Sequence, residues 1–171
     1  MTSPPPGTIN LTLPRWAYVP GVETEADHET LAMAKALVPA RFNGFVPARH
    51  SALRYGLGLN DSGFFWESHE ILEAVWAAAP QGGRERILLR ACIQIANANL
   101  KLRMGKPHAA SRLFGEALAE LNELSVRKAT GGGGFADAFP TAALAGLLRT
   151  KLAQPALSKA DWVALGSLGR T

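Results

Sequence analysis

The sequence predicts an all-α protein, a compact antiparallel bundle of about five to six helices packed as hairpins in tetratricopeptide fashion, with no sheet. Three observations carry this expectation. Apolar residues recur at helical spacing through most of the chain. Sustained alternation and Asn-Gly hairpin signals are missing. Glycine and proline cluster where helices would stop, as at Gly105 and Pro107. A period of about 34 residues, which a true repeat array would need, is not found.

Taken in order, residues 1–22 are punctuated by Pro4, Pro5, Pro6, Pro14 and Pro20 and read as an extended N-terminal arm. Its apolar strip, Leu11, Leu13, Trp16, Tyr18 and Val19, is expected to lie across a groove of the folded body, with Trp16 and Tyr18 as clamps. The core domain is expected over 23–128. A first helix spans about Glu25 to Leu37 and stops before Pro39. A second runs from Pro47 or Ala48 to about Leu59. Asn60-Asp61-Ser62-Gly63 then reads as a turn that caps the next helix, Phe64 to about Ala78. Pro80-Gln81-Gly82-Gly83 breaks that helix. Arg84 to Met104 follows, ended by Gly105 and Pro107, and His108 to Val126 continues after the proline. Residues 129–171 form a glycine-rich linker, Gly131 to Gly134, and C-terminal helices packed on the core. One spans Thr141 to Leu152, and a short one has Ser158 as its N-cap.

Composition narrows the class. Over 171 residues, 47% hydrophobic and 19% charged content describe a globular protein with a sizeable core. No apolar run reaches the length of a membrane span, so no membrane partner is expected. The N-terminus has neither a basic start nor an apolar segment of the secretory kind. The single cysteine, Cys92, excludes an internal disulfide framework, reads as an inert core thiol, and agrees with a reducing cytoplasm. The net charge of +4 comes largely from Arg84 to Arg112, where seven bases face one acid, Glu85. Without interleaved aromatics or a nucleic-acid signature, this reads as a basic helix beside an acidic one, and nucleic acid is not expected as a partner.

The densest chemistry lies in Gly63 to Trp76. At roughly 100° per residue, Phe64, Phe65, Ser68, Ile71, Leu72, Val75 and Trp76 share a broad apolar face. Ser68 is the small residue at its middle, suited to close approach of another helix. Glu67, Glu70 and Glu73 form a ridge on the other side, and His69 lies between ridge and core with Glu73 at i+4. The next helix is apolar nearly all round except for Arg90, Gln94, Asn97 and Lys101 at i, i+4, i+7, i+11. Buried polar groups require partners. The expectation is that this stripe faces the carboxylate ridge in a partly buried network, whose disruption would cost about 3–5 kcal/mol per charge left unpaired.

Glu67, His69, Glu70 and Glu73 are thus the candidate catalytic groups; Arg90, Gln94, Asn97, Lys101 and Trp66 are the candidate binding groups. No metal and no cofactor are expected. His69-Glu70-x-x-Glu73 lacks the second imidazole of the zincin motif, and Glu67 to His69 has the wrong spacing for a di-iron bundle. His28, His50 and His108 could add ligands only through tertiary contacts. Trp66 and Trp76 read as core or interface anchors.

At these residues the chain resembles domain of unknown function 309, a family of small all-helical bacterial and archaeal proteins. Its pattern, Phe-x-x-Gly-x-Phe-x-Glu-x-His-Glu-x-Leu-Glu-x-x-Trp, is matched by Gly63, Phe65, Glu67, His69, Glu70, Leu72, Glu73 and Trp76. A second part is matched by Arg84 or Arg86, then Leu89, Ile93, Gln94 and Gly105. The chain departs from it at Ala91 and Cys92, where Gly-Leu is usual, at Lys106 in place of Asn, and at Lys101, where many members carry His. The resemblance covers about residues 50–125 and implies a compact helical bundle with no established activity. The function expected is therefore a non-enzymatic module that binds a protein or a small molecule, a homo-oligomer being compatible with it. The alternative is a hydrolase-like enzyme, with or without metal assistance, using Glu70, Glu73 and His69.

Overall fold

The structure, a computed structural model, describes residues 11–22, 24–127, 129 and 133–166. The expectations for Met1 to Gly7 and for most of the glycine-rich linker lie outside these residues. Among the described residues there are seven α-helices, one 3-10 turn and no strand beyond a single antiparallel bridge between Pro47 and Gly134. The helices are α1 (His28–Lys35), α2 (Ser51–Asp61), α3 (Phe65–Ala78), α4 (Arg84–Arg103), α5 (Pro107–Val126), α6 (Phe135–Ala138) and α7 (Thr141–Leu152). The 3-10 turn is Lys159–Asp161.

The ends follow from local chemistry. Helix α1 starts later than its apolar spacing suggests, because the Asp27 carboxylate caps it by accepting the Thr30 N–H. Helix α2 is capped by His50, whose Nδ1 accepts the Ala52 N–H at 3.2 Å. It then runs on through Asn60 and Asp61, so these two do not form the turn expected of them. The chain turns instead at Gly63, whose φ of +89° suits glycine, and α3 starts with Phe64 as N-cap and no side-chain cap. Helix α4 ends in a Schellman motif: Lys106 N–H donates to Lys101 O at 2.8 Å and Gly105 N–H to Leu102 O at 3.0 Å. Gly105 has φ +73°, and Pro107 opens α5 at its first position. Ser158 caps the 3-10 turn in a reciprocal capping box with Asp161, as its sequence position predicts.

Two hairpins, α2 with α3 and α4 with α5, stack through α3 against α4, and α7 lies on α5. Within the first hairpin the helices touch closely. Ser68 Oγ donates to Gly56 O at 2.7 Å, and a Cβ on Gly56 would come within 2.9 Å of the Leu72 side chain. Helix α4 is central, with Leu88, Leu89, Ala91, Cys92 and Ile95 fully buried. A smaller cluster, Leu31, Ala34, Leu59 and Ile71, joins α1 to the α2–α3 hairpin and takes Leu11 of the arm and Trp66 on its flank. No helix among the described residues is long and apolar enough to cross a membrane.

Both ends of the described chain are tied to this core by side chains. The arm is held by Tyr55 Oη on Thr12 O, by Arg15 on Asp27, and by Glu67, which accepts the Tyr18 N–H at 2.7 Å. The segment after the 3-10 turn is held by two buried asparagines. Asn99 Nδ2 donates to Val163 O, and Asn99 Oδ1 accepts the Val163 N–H, at 2.9 and 2.8 Å. Asn60 Nδ2 donates to the same Val163 O at 2.9 Å.

Candidate functional site

The motif helix α3 divides its polar groups among three surroundings. Glu67 is fully buried beneath the arm. Its Oε2 accepts the Tyr18 N–H, while Oε1 has no hydrogen-bond partner. Burial pushes its pKa above the ordinary value, against the opposing pull of the Tyr18 N–H and the nearby Arg103. Trp66, beside it, is half-buried and meets Tyr18 edge-on at 4.9 Å and His28 at 5.9 Å. Tyr18 is therefore a clamp of the arm, as expected, and Trp16 adds an indole N–H bond to Glu25 O at 2.6 Å.

His69, Glu70 and Glu73 come together on the outer side of α3. His69 Nδ1 lies 2.9 Å from Trp66 O, and a carbonyl only accepts, so Nδ1 carries a hydrogen. Nε2 then faces two carboxylates, Glu73 Oε1 at 3.3 Å and Glu70 Oε1 at 3.8 Å. A neutral ring would direct a lone pair at them. The ligand atoms of His69, Glu70 and Glu73 all lie within 4.8 Å of one another, close enough to share a cation. Glu70 also pairs with Lys35 of α1 at 3.0 Å.

The expected network between the α4 stripe and this ridge is not formed. Among the described residues no hydrogen bond or ion pair links Arg90, Gln94, Asn97 or Lys101 to Glu67, Glu70 or Glu73. The ridge is taken by α1 and the arm, elements whose placement the helical wheel of α3 does not encode. The stripe turns elsewhere. Arg90 lies over the Trp76 ring at 5.4 Å, as does Arg86 at 4.4 Å. Gln94 donates to Glu116 of α5 at 3.1 Å. Lys101 makes no side-chain hydrogen bond or ion pair among the described residues. What stripe and ridge do share is an open groove of about 500 Å³, lined by Glu73, Trp76, Arg90, Ile93, Gln94 and Asn97.

The model of the family described as domain of unknown function, DUF309, matches residues 53–113. Over this segment the chain is similar to the DUF309 family. The segment opens at Leu53 in α2 and closes at Leu113 in α5, so it contains both hairpins in part and the whole of the motif helix. No curated protein matches the chain, and no solved structure does.

Several polar groups that shape the DUF309 segment escape a sequence reading centred on Glu and His. Asn60 and Asn99 are fully buried and grip Val163, which lies outside the segment. Asn99 could have been found, since it interrupts the apolar run Ala98, Leu100, Leu102 where no polar residue is needed for solubility. Asp61 accepts the Leu165 and Gly166 N–H groups at 2.6 and 2.7 Å. Glu85, also buried, accepts the Ala136 N–H at 2.7 Å, and Arg84 pairs with Asp137, which together dock α6 on the start of α4. Cys92 is fully buried, and burial pushes its thiol up to about 12, consistent with an inert core residue.

Proposed function

We propose that this chain is a cytoplasmic, non-enzymatic binding module whose ligand lies in the groove between α3 and α4. The observation that carries this reading is a set of unspent polar groups around a half-buried indole. Asn97 makes no side-chain hydrogen bond, and Arg90 makes no ion pair, among the described residues, yet both line the groove with Trp76 and Glu73. Clefts with an aromatic floor and a few convergent donors and acceptors are the usual form of small-ligand sites. An acid, a guanidinium and two amides over an indole suit a ligand with donors and acceptors on one edge and an apolar side, as a short peptide or a small amide-bearing acid has. A buried single cysteine fits a reducing compartment.

The hydrolase-like reading rests on a different observation, the His69 ring held by Trp66 O with Nε2 turned to Glu70 and Glu73. A carboxylate beside an oriented imidazole is the minimal acid–base pair, and among the described residues no nucleophile or oxyanion device accompanies it.

One titration separates the two. Resonances of the Trp76 indole and of the Gln94 and Asn97 side-chain amides are followed while dipeptides and, separately, zinc ions are added. The binding-module reading expects dipeptide-dependent shifts at these groups, abolished in Trp76→Ala and kept in His69→Ala. Shifts confined to His69 and its carboxylates on zinc addition, with no dipeptide response, would replace it by the metal-assisted reading.

A further inference from the structure

A second cavity, of about 390 Å³, opens on the far side of the α2–α3 turn and shares no lining residue with the α3–α4 groove. Its walls come from Ser62 and Gly63 of the turn, Phe65, the end of α4 at Asn99 and Arg103, and the C-terminal segment at Lys159 and Trp162.

Its charge is positive and held in place. Arg103 Nη1 donates to Gly63 O, and the guanidinium lies 4.3 Å from the Phe65 ring, so the side chain is fixed from two directions. It has no ion pair among the described residues. Burial disfavours its charge, and the carboxylate acting on it, Glu67, is not hydrogen-bonded to it. Lys159 is exposed and likewise has no ion pair; the neighbouring Asp161 is taken by Lys151 and Ser158. The one acid in the lining, Asp61, has both oxygens engaged by the Leu165 and Gly166 N–H groups.

An aromatic surface stands beside these cations. Trp162 is 39% exposed and inclined at 47° to Phe65 at 5.9 Å. The indole is rigidly placed, because the next residue, Val163, is bonded through both its N–H and its C=O to Asn99. A cavity of this size lies at the small end of ligand sites, which run from about 300 to 1,000 Å³. A guanidinium with spare donors recognises phosphate and carboxylate oxygens, and an exposed indole stacks on flat rings.

We infer that this cavity binds a small flat anion, an aromatic or heteroaromatic ring bearing a phosphate or a carboxylate. The ring lies against Trp162 and the anionic group sits between Arg103 and Lys159.

Calorimetric titration of the full chain tests this with four compounds. Adenosine 5′-monophosphate carries ring and phosphate, benzoate ring and carboxylate, adenosine the ring alone, and inorganic phosphate the anion alone. Saturable binding of the monophosphate or of benzoate is expected, and whichever binds assigns the anionic group. Adenosine and inorganic phosphate should bind at least about tenfold more weakly, since each lacks one half of the contacts. Arg103→Gln should weaken binding by about tenfold or more, the loss of one charge-assisted hydrogen bond. Lys159→Gln should weaken it by about threefold with an unchanged melting temperature. Trp162→Ala should erase the preference for ring-bearing ligands. Should Arg103→Gln fail to fold, Lys159→Gln and Trp162→Ala decide alone. Absence of binding by both ring-bearing anions overturns the assignment. So does wild-type affinity in these two variants, or inorganic phosphate or adenosine binding as tightly as the monophosphate.

Discussion

At the scale of single residues, the carboxylates of α3 are not equivalent, and burial decides which matters for stability. Glu67 is fully buried, whereas the Glu70 and Lys35 side chains keep 24% and 39% of their exposure. A partly solvated pair of that kind contributes only about 0–1 kcal/mol. Glu70→Gln is therefore expected to change unfolding free energy by less than about 1 kcal/mol, well short of the cost for a buried network member. Glu67→Ala should cost about 1–3 kcal/mol, because it leaves the Tyr18 N–H without an acceptor in a closed site. Glu67→Gln is the informative variant. The amide keeps an oxygen for Tyr18 and removes a charge whose burial is unfavourable, so at neutral pH it should match or exceed wild-type stability. Urea unfolding of the three variants checks the order. A loss in Glu67→Gln as large as in Glu67→Ala would mean that the ionised carboxylate is sustained by Arg103 after all.

At the scale of elements, helices with chemical stop signals were legible and the contacts between helices were not. Gly105 followed by Pro107, Ser158 ahead of Asp161, and the apolar period of Thr141–Leu152 each mark a boundary through local physics, and the structure has them there. Helix α6, four residues long, has too short a period to register. The polar stripe of α4 was visible, but its partner was not. A wheel orders residues around one axis and says nothing of which neighbour claims each side, and here α5 takes Gln94 while α1 takes Glu70. Asn99 shows the same limit: its place on the apolar side signals a buried bond, but its partner lies 64 residues away. Asn99→Ala should lower stability by about 1–3 kcal/mol for each buried group it leaves unsatisfied, foremost the Val163 N–H. Asn99→Asp should be no better, as it removes the donor to Val163 O and buries a charge. Denaturant unfolding gives the size, and faster hydrogen exchange at the Val163 amide locates it. Unchanged Val163 exchange in Asn99→Ala would show that packing of Val163 and Leu165, not the asparagine, holds the segment.

At the scale of the whole molecule, the described residues form a pair of stacked hairpins, with the segments around Thr12 to Tyr18 and Val163 to Gly166 bound down by side chains of the core. For the N-terminal arm the binding groups include two carboxylates of opposite pH response, Asp27 and Glu67. Hydrogen bonds from Arg15 and Thr30 hold Asp27 well below the usual carboxylate range. Its contribution is present above the ordinary value of 3.8 and is lost as pH falls through the depressed one. Burial raises Glu67, and detaching the arm returns it to water. Its contribution is complete below the ordinary value of 4.5 and is lost as pH rises through the raised one. The two together predict an arm bound most firmly in mildly acidic solution and loosened on either side. Amide exchange at Arg15 and Tyr18, whose N–H groups donate to Asp27 and Glu67, reads this directly once corrected for intrinsic rates. In Glu67→Gln the loosening towards neutral pH should vanish while the acid limb stays. In Asp27→Asn the acid limb should vanish while the neutral one stays. Protection that is flat with pH in the wild type, or that rises steadily towards neutrality, would mean that Arg103 compensates the Glu67 charge fully and that burial does not govern the arm.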